Sequence, residues 1–262
     1  TAFDVESLDF LVNDLNLKRL KIPSGEITNA PLVLAHARTG SDLIISTGMS
    51  TLGEIEAALG VVAFGYTVSS EVVPSIQAFQ AAYFSEAGKT ALKDKITLLH
   101  CTTEYPAPLA EINLRAMDTL GSAFGFPVGY SDHSEGNVVS VAAAARGAVL
   151  IEKHFTLDKQ MEGPDHKASL DPKELAEMIQ SIRDVELALG DGIKGPYPSE
   201  LRNKPVARKS IIAARDITAG SIFASDDLTT KRPGNGQSPY DFWKLLTMVS
   251  SKDYKAGELI DE

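Results

Sequence analysis

The chain has 262 residues, 44% of them hydrophobic and 23% charged, an ordinary globular composition that allows one large domain and a small one. Its net charge of −10 leaves no broad basic surface, so nucleic acid and membrane surfaces are not expected partners. A single cysteine, Cys101, excludes an internal disulfide, and no apolar run reaches the ~18 residues of a membrane helix. We therefore expect a soluble protein of the reducing cytoplasm.

Short β-type runs alternate with helical patterns along residues 1–190, which is typical of parallel βα units. The opening Thr1-Ala2-Phe3-Asp4 is neither a start methionine nor a signal peptide, so we expect the sequence to begin inside a domain. The predicted strands are Leu20–Ile22, Leu43–Ser46, Ile96–Cys101, Val128–Ser131 and Ala148–Lys153. The predicted helices are Val5–Leu15, Ala30–Ala37, Leu52–Val62, Ser75–Phe84, Leu114–Leu120, Asn137–Arg146 and Pro172–Leu189. The last is the best marked, because Asp171 and Glu174 can form a capping box before it and Gly190 can end it.

After Gly190 the composition changes. Gly and Pro recur through Asp191–Ser199 and interrupt regular structure, so residues 191–205 are expected to be a linker. Beyond it, β-type runs such as Ser210–Ala213 are separated by turns, including Pro233–Gly236. We expect a βα domain over residues 1–190 and a small, mostly β domain over residues 206–262.

Polar or reactive side chains end each predicted strand. They are Lys21 and Ser24; Ser46 and Thr47; His100, Cys101, Thr102 and Thr103; Ser131, Asp132 and His133; and Glu152, Lys153 and His154. In a βα barrel the carboxyl ends of the strands form the active-site face, where such side chains converge. Loops after strands are also generally polar, so the pattern alone leaves both interpretations open.

His133 and His154 end successive predicted strands and could present two imidazoles to one divalent cation. Two protein ligands leave positions for water and substrate oxygens, which suits Lewis-acid catalysis by Mn²⁺ or Mg²⁺ better than a structural zinc site. A strand-end histidine can equally be a hydrogen-bonded packing residue. His100 could be a third ligand, although a structural role fits it better, and His36 and His166 are expected outside catalysis.

Lys21, with Ser24 and Ser46 at neighbouring strand ends, could hold a phosphate or carboxylate through its charge and their hydroxyls. The alternative is a solvated lysine. Walker-type and dinucleotide-binding glycine patterns do not occur, so a nucleotide substrate lacks support.

Six ordered segments, and a seventh near the end of the chain, carry a resemblance to a known family. They are Lys21–Glu26, Ile45–Met49, Leu98–Pro106, Gly129–His133, Glu152–Thr156, Gly163–His166 and Lys231–Gly236. They resemble the N-acetylneuraminate (sialic acid) synthases, which end in an antifreeze-like (SAF) domain. The resemblance spans the chain and implies an α/β fold: a TIM (β/α)8-type barrel lacking its first strands here, then a small, mostly β SAF domain.

The resemblance also implies a reaction. Enzymes of this kind are transferases that condense phosphoenolpyruvate with N-acetylmannosamine and water, giving N-acetylneuraminate and phosphate. His133 and His154 would bind a divalent metal, Mn²⁺ with Mg²⁺ or Co²⁺ as alternatives, that polarises the sugar aldehyde. The residues implied for phosphoenolpyruvate are Lys21, Ser24, Ser46, Ser131, Thr1 and Thr103; those for the sugar are Glu26, Tyr105 and Asp165; those for catalysis are His133, His154, Lys21 and Glu26.

The resemblance at Arg232 also implies a homodimer. Similar enzymes are domain-swapped homodimers in which the SAF domain of one subunit covers the barrel of the other, so Arg232 would complete its partner's site. The sequence alone also allows a simple tight turn at Pro233–Gly236 with an exposed arginine.

Two departures from the family pattern stand out: Thr103 replaces an Asn of some members, and the family's opening Glu-Ile-Gly and Asn-His motifs, with a catalytic glutamate, do not occur before Thr1. We therefore expect these residues alone to be inactive.

Other functions remain open. A synthase of another nonulosonic acid, of the legionaminic or pseudaminic type, would keep the metal and phosphoenolpyruvate residues and differ in the sugar pocket; Met161–Asp165 favours N-acetylmannosamine. A non-catalytic sugar-binding protein would have no need for His133, His154 and Lys21 together. A metal-dependent aldolase that uses pyruvate would release no phosphate.

Overall fold

The computed structural model describes residues 1–262, which form two compact units, Thr1–Gly190 and Asp191–Glu262. The first unit is built on five parallel strands that pair in chain order. They are β1 Arg19–Ile22, β2 Asp42–Ser46, β3 Ile96–Cys101, β4 Val128–Asp132 and β5 Ile151–Lys153. Parallel strands in chain order with helices between them make half of a βα barrel, so the expected α/β fold is confirmed.

Helices connect these strands. They are α1 Val5–Asp9, α2 Ala30–Arg38, α3 Leu52–Thr67, α4 Ile76–Phe84, α5 Glu86–Lys95, α6 Ala116–Phe124, α7 Val138–Ala145 and α8 Pro172–Leu189. The expected capping box of α8 is present, because Asp171 accepts the Glu174 amide and Glu174 accepts the Asp171 amide. Within the chain, no helix combines the length and the apolar character that crossing a bilayer requires.

The first helix, strand β5 and helix α5 are among the elements that differ from the prediction. The first helix is α-helical only to Asp9 and continues as a π-helical turn over Phe10–Asp14. Strand β5 begins three residues later than expected, because the Ala148 amide is bonded to the Ala143 carbonyl at the end of α7. Helix α5 is absent from the prediction; it begins where the Ser85 hydroxyl accepts the Gly88 amide at 2.9 Å.

The core of the first unit lies between the sheet and its helices. Leu20 and Ile22 are 2% and 1% exposed and pack in one cluster with apolar side chains of α2 and α3. Successive strand residues point to opposite faces, so Lys21 lies on the other face of the sheet. One face therefore supplies packing, and the other is left for polar side chains.

The second unit contains α9 Pro198–Ala207, β6 Ser210–Ala213, β7 Leu228–Lys231 and α10 Phe242–Leu245. Strands β6 and β7 are antiparallel, and single bridges such as Ile217 with Tyr254 extend the pairing. The core of the unit consists of Ile211, Ala213, Ile217, Phe223, Leu228, Leu245, Tyr254 and Ile260. A small antiparallel β unit with short helices is the result.

The segment expected to be a linker is only partly irregular, because α9 occupies Pro198–Ala207. Pro198 takes the first helical position, where no amide hydrogen is needed, and the Glu200 carboxylate accepts the Tyr197 amide at 3.1 Å. The Gly and Pro residues before Pro198 precede the helix rather than interrupt it.

Asp227 anchors the chain just before β7. Its carboxylate accepts the Ala224 amide at 2.8 Å and Arg215 Nε at 2.5 Å, and these hydrogen bonds hold the pKa of Asp227 below its usual value. We predict that Asp227→Ala lowers the free energy of unfolding by about 1–2 kcal/mol, because both donors lose their acceptor. Urea denaturation followed by circular dichroism measures the change. The exposed neighbour is the control: Asp226→Ala should cost less than about 0.5 kcal/mol, and equal losses would contradict the prediction.

Candidate active site

The carboxyl ends of the five strands meet at one edge of the sheet of the first unit. In the register of the sheet, Cys101 of β3 lies beside Ser131 of β4, which lies beside Glu152 of β5. Paired residues of neighbouring strands point to the same face, so these three side chains share the face opposite the core. The chain therefore gathers the predicted strand-end residues of β3, β4 and β5 in one place.

Lys21, Ser131 and Glu152 form the centre of this edge. Lys21 Nζ and Ser131 Oγ both donate to Oε1 of Glu152, at 2.6 and 2.7 Å. Burial acts to raise the pKa of Glu152, but the hydrogen bonds from Lys21 and Ser131 outweigh it, so the pKa lies below its usual value. The result is an ionised carboxylate held between a cation and a hydroxyl, with Oε2 left available to a substrate or water.

Ser24 and Thr103 lie together at the ends of β1 and β3, with their hydroxyl oxygens 3.3 Å apart. The backbone of Gly48, just after β2, closes against them. A Cβ at this glycine would lie 2.2 Å from Thr103 Oγ1 and 3.1 Å from Ser24 Oγ. The two hydroxyls can therefore keep their places only because residue 48 has no side chain.

We predict that Gly48→Ala weakens the binding of an anionic substrate at these hydroxyls. The new methyl group would displace Thr103 and Ser24, which are donors in the site proposed below. The Michaelis constant for that substrate should rise about tenfold, by analogy with the loss of one or two charge-assisted hydrogen bonds. Gly53→Ala is a matched control, since that added methyl would meet no atom closer than 4.0 Å. A Michaelis constant that rises equally in both variants would contradict the prediction.

His133 and His154 stand side by side at the ends of β4 and β5. Their ring centroids are 5.4 Å apart, with the planes at 81°. His133 Nδ1 lies 2.7 Å from the Thr102 carbonyl oxygen, which can only accept, so Nδ1 carries the hydrogen and Nε2 keeps its lone pair. Burial lowers the pKa of both imidazoles, which favours the neutral, ligating form.

Tyr105 and Asp165 border the two histidines. The Tyr105 ring lies 4.1 Å from that of His133 and 5.4 Å from that of His154, centroid to centroid. Asp165 Oδ2 lies 3.8 Å from His154 Nδ1. An aromatic ring beside polar groups is a common surface for binding sugars, which have apolar faces and hydroxyl edges.

The two imidazoles fit a divalent cation. The His133 ring is oriented by the hydrogen bond from its Nδ1 to the Thr102 carbonyl, and ligating histidines of many protein metal sites are oriented in the same way. Within residues 1–262, no group of three or more His, Cys, Asp or Glu side chains is arranged to hold a metal by itself. Two nitrogens would supply part of a coordination shell, and oxygen ligands from substrate and water would fill the rest.

Other predicted residues lie less centrally. Ser46 is 1% exposed, and burial raises the pKa of the nearby Cys101 thiol. Glu26 accepts Asn29 Nδ2 at 2.7 Å, and Thr1 is exposed. Arg232 belongs to the second unit, where its Nε donates to the Ala207 carbonyl at 2.8 Å.

Glu152 is the functional candidate that the sequence prediction left without a role. It appeared there only as a strand-end residue beside His154. The signal was the two-residue alternation of β5, which places Glu152 on the same face as Ser131. His100, considered as a third ligand, instead bonds through Nε2 to the Ile112 carbonyl at 2.7 Å.

Each unit contains a cleft. One of about 410 Å³ lies at the carboxyl ends of β2 and β3 and is lined in part by Thr47, His100 and Arg115. The larger cleft, about 720 Å³, lies within the second unit and is lined by Lys204, Arg208 and Trp243 among others. It contains none of the strand-end residues, so we place the chemistry at the edge of the sheet, where the polar groups converge.

Comparison with known proteins bears on this site. A family model described as the NeuB family matches residues 1–194, and a SAF domain model matches residues 208–262. N,N'-diacetyllegionaminic acid synthase of Campylobacter jejuni is 49% identical over the whole chain, which covers 71% of that relative. N-acetylneuraminate-9-phosphate synthase of Homo sapiens is 32% identical over the whole chain, which covers 67% of it.

A solved structure agrees with these matches. The N-acetylneuraminic acid (sialic acid) synthetase of Leptospira borgpetersenii, in complex with citrate, superimposes with a TM-score of 0.60 at 34% identity. The match covers 77% of this chain and 61% of that one. The chain thus spans about two thirds of the length of the relatives it matches. The order of its motifs, its half-barrel and these matches together show that the chain belongs to the NeuB family and carries a SAF domain.

Proposed function

We propose that the protein is a nonulosonic acid synthase, which joins phosphoenolpyruvate to an N-acetylated amino sugar and releases phosphate. The observation that carries this proposal is the strand-end cluster of Lys21, Ser131 and Glu152 beside His133 and His154. It sets a lysine cation, an ionised carboxylate and two imidazoles around one edge of the sheet. Such a set suits an anionic substrate and a carbonyl that must be polarised.

The sugar we propose carries two acetamido groups. The relative from Campylobacter jejuni makes an N,N'-diacetylated acid and is 49% identical, against 32% for the human N-acetylneuraminate-9-phosphate synthase. Phosphoenolpyruvate contains no nitrogen, so both acetamido groups of such a product must come from the sugar. The legionaminic alternative is therefore better supported than the expected N-acetylmannosamine substrate.

Each side of the site has a proposed role. Lys21 would pair with the phosphate or carboxylate of phosphoenolpyruvate. Hydroxyl groups would donate to the same anion, and the residues bordering the histidines would contact the sugar. The proposed hydroxyl donors are Ser24, Ser46, Thr103, Ser131 and Thr1, and the proposed sugar contacts are Glu26, Tyr105 and Asp165.

The proposed reaction makes one carbon–carbon bond and one carbon–oxygen bond to water, and it breaks the carbon–oxygen bond to phosphate. The methylene carbon of phosphoenolpyruvate bonds to the sugar carbonyl carbon, whose oxygen takes up a proton. Water then adds to the electron-poor central carbon, and phosphate leaves from that carbon. Glu152, ionised and with Oε2 available, can accept the proton that water gives up. A divalent cation held by His133 and His154, Mn²⁺ in our proposal, would supply Lewis-acid polarisation of the carbonyl.

Sugar competition tests the substrate. With phosphoenolpyruvate and Mn²⁺ fixed, phosphate release by the full-length protein is measured with a diacetamido hexose or with N-acetylmannosamine. We expect kcat/KM to favour the diacetamido sugar by at least about 100-fold, because a site built for a polar group rejects the analogue that lacks it. Preference for N-acetylmannosamine would return the assignment to a sialic acid synthase. Sugar binding without phosphate release would indicate a binding protein, and condensation of pyruvate itself would indicate an aldolase.

We further propose that Arg232 acts in the site of a second copy, in a domain-swapped homodimer. Mixing tests this. Arg232→Ala and His133→Ala chains, each inactive, should regain activity when refolded together, since a mixed dimer would hold one site with both residues intact. No recovery in mixtures that form dimers would contradict the proposal.

A further inference from the structure

A buried ion pair lies behind the candidate site, on the packed face of the sheet. Lys153 Nζ is 3.1 Å from Asp132 Oδ2, and the two side chains are 3% and 0% exposed. Neither residue points toward the strand-end cluster, because each alternates with a residue that does. The pair therefore touches no group of the proposed chemistry and needs another explanation.

The position of the Asp132–Lys153 pair in the sheet suggests an explanation. Asp132 and Lys153 are register partners and are the final residues of β4 and β5, so they form the last rung of that strand pair. His133 and His154 follow directly. The preceding rung is tied on the opposite face, where Ser131 Oγ donates to Glu152 at 2.7 Å. Each histidine thus extends from a strand end that is fastened to its neighbour on both faces of the sheet.

The chain beyond His133 is tied to the same pair. The Ser134 amide and hydroxyl donate to Asp132 Oδ1 at 2.8 and 2.7 Å, and Lys153 Nζ donates to the Ser134 carbonyl. Ser140 of α7 donates to Asp132 Oδ2 at 2.6 Å. His133 therefore lies between two residues that are both fixed by the pair.

Stability alone is a poor reason for this arrangement. Removing two charges from water costs about as much as their attraction returns, and apolar replacements of similar size are often neutral or stabilising. A buried ionic group is better suited to specifying one geometry, and metal ligands must be held within about 0.5 Å of their places.

We propose that the Asp132–Lys153 pair positions His133 and His154, setting the separation of the two imidazoles for a divalent cation. The proposal has two measurable consequences, the positions of the imidazoles and the affinity for Mn²⁺. Only the second rests on the metal role that we propose for the histidines. Neither residue is a ligand, and each acts through the backbone of its neighbouring histidine.

The test is the double variant Asp132→Asn/Lys153→Met, which removes both charges at similar volume and leaves no lone buried ion. Its crystal structure should show one imidazole displaced by about 0.5 Å or more relative to the other. Isothermal titration with Mn²⁺ should show affinity about tenfold weaker than that of the unaltered chain. The matched control is Asp227→Asn/Arg215→Met, which removes an ion pair of the second unit and should leave Mn²⁺ affinity unchanged.

The outcomes separate the two proposals. Unmoved imidazoles and unchanged Mn²⁺ affinity in the folded double variant would overturn the positioning role. Displaced imidazoles in a protein that binds no Mn²⁺ before or after substitution would support positioning and contradict the metal assignment. If the double variant does not fold, Ser140→Ala serves instead, since it removes one donor to Asp132. That variant should measurably weaken Mn²⁺ binding, and an unchanged affinity would again overturn the role.

Discussion

Glu152→Gln should lower the turnover number by about 100-fold or more while leaving the fold intact. The amide keeps the size of the carboxylate, but it lacks the charge that pairs with Lys21 at 2.6 Å, and it cannot accept a proton. General base catalysis contributes about 10²–10⁴-fold in rate, which sets the expected scale. Phosphate release at saturating substrates measures the loss, and thermal unfolding measures the fold.

The control for Glu152→Gln is Glu56→Gln, which makes the same change of charge at an exposed position of α3. Its turnover should stay within twofold of the unaltered protein, a range of roughly 0.4 kcal/mol in activation free energy. A Glu152→Gln enzyme of near-normal turnover would show that this carboxylate only packs beside Lys21. A rise in the Michaelis constant with unchanged turnover would restrict Glu152 to substrate binding.

His133→Ala should abolish metal-dependent turnover and weaken Mn²⁺ binding by more than about 100-fold. The loss of an outer hydrogen bond to a metal ligand already costs 10–100-fold in affinity, and this change removes one of two proposed protein ligands. Titration calorimetry with Mn²⁺, together with phosphate release over a range of Mn²⁺ concentrations, measures both effects.

His100→Ala is the matched control for His133→Ala, because His100 also lies at the end of a strand but bonds to the Ile112 carbonyl. It should lower stability and leave Mn²⁺ affinity within about twofold, since its ring nitrogen is already engaged in the fold. Equal loss of Mn²⁺ affinity in the two variants would contradict the assignment of His133 as a ligand.

The parallel sheet could be predicted because its signals are local. Strands β1 to β4 are short and each contains at least one β-branched residue, and the capping box at Asp171 marks the start of α8 within the sequence itself. Helices α5 and α9 could not be predicted so easily. Helix α5 buries only Gly88 and Leu92, and α9 buries no residue, so neither shows the apolar periodicity that identifies a helix.

The candidate site also contains residues that could be predicted from the sequence and residues that could not. His133 and His154 could be paired from the sequence because they follow successive strands, and strand order alone then brings them together. The place of Glu152 depends on the register between β4 and β5 and on contacts with Lys21, which is 131 positions away along the chain. The role inferred for Asp132 and Lys153 depends on burial behind the sheet, which a strand-end motif cannot reveal.

Phosphate release tests the central claim most directly. The full-length protein is supplied with phosphoenolpyruvate, with and without a diacetamido hexose, first in EDTA and then with Mn²⁺ restored. A nonulosonic acid synthase should release phosphate only when sugar and metal are both present, with one sugar consumed for each phosphate. Phosphate release without sugar would contradict the assignment. A folded, Mn²⁺-loaded protein that releases no phosphate with any N-acetylated sugar would also contradict it.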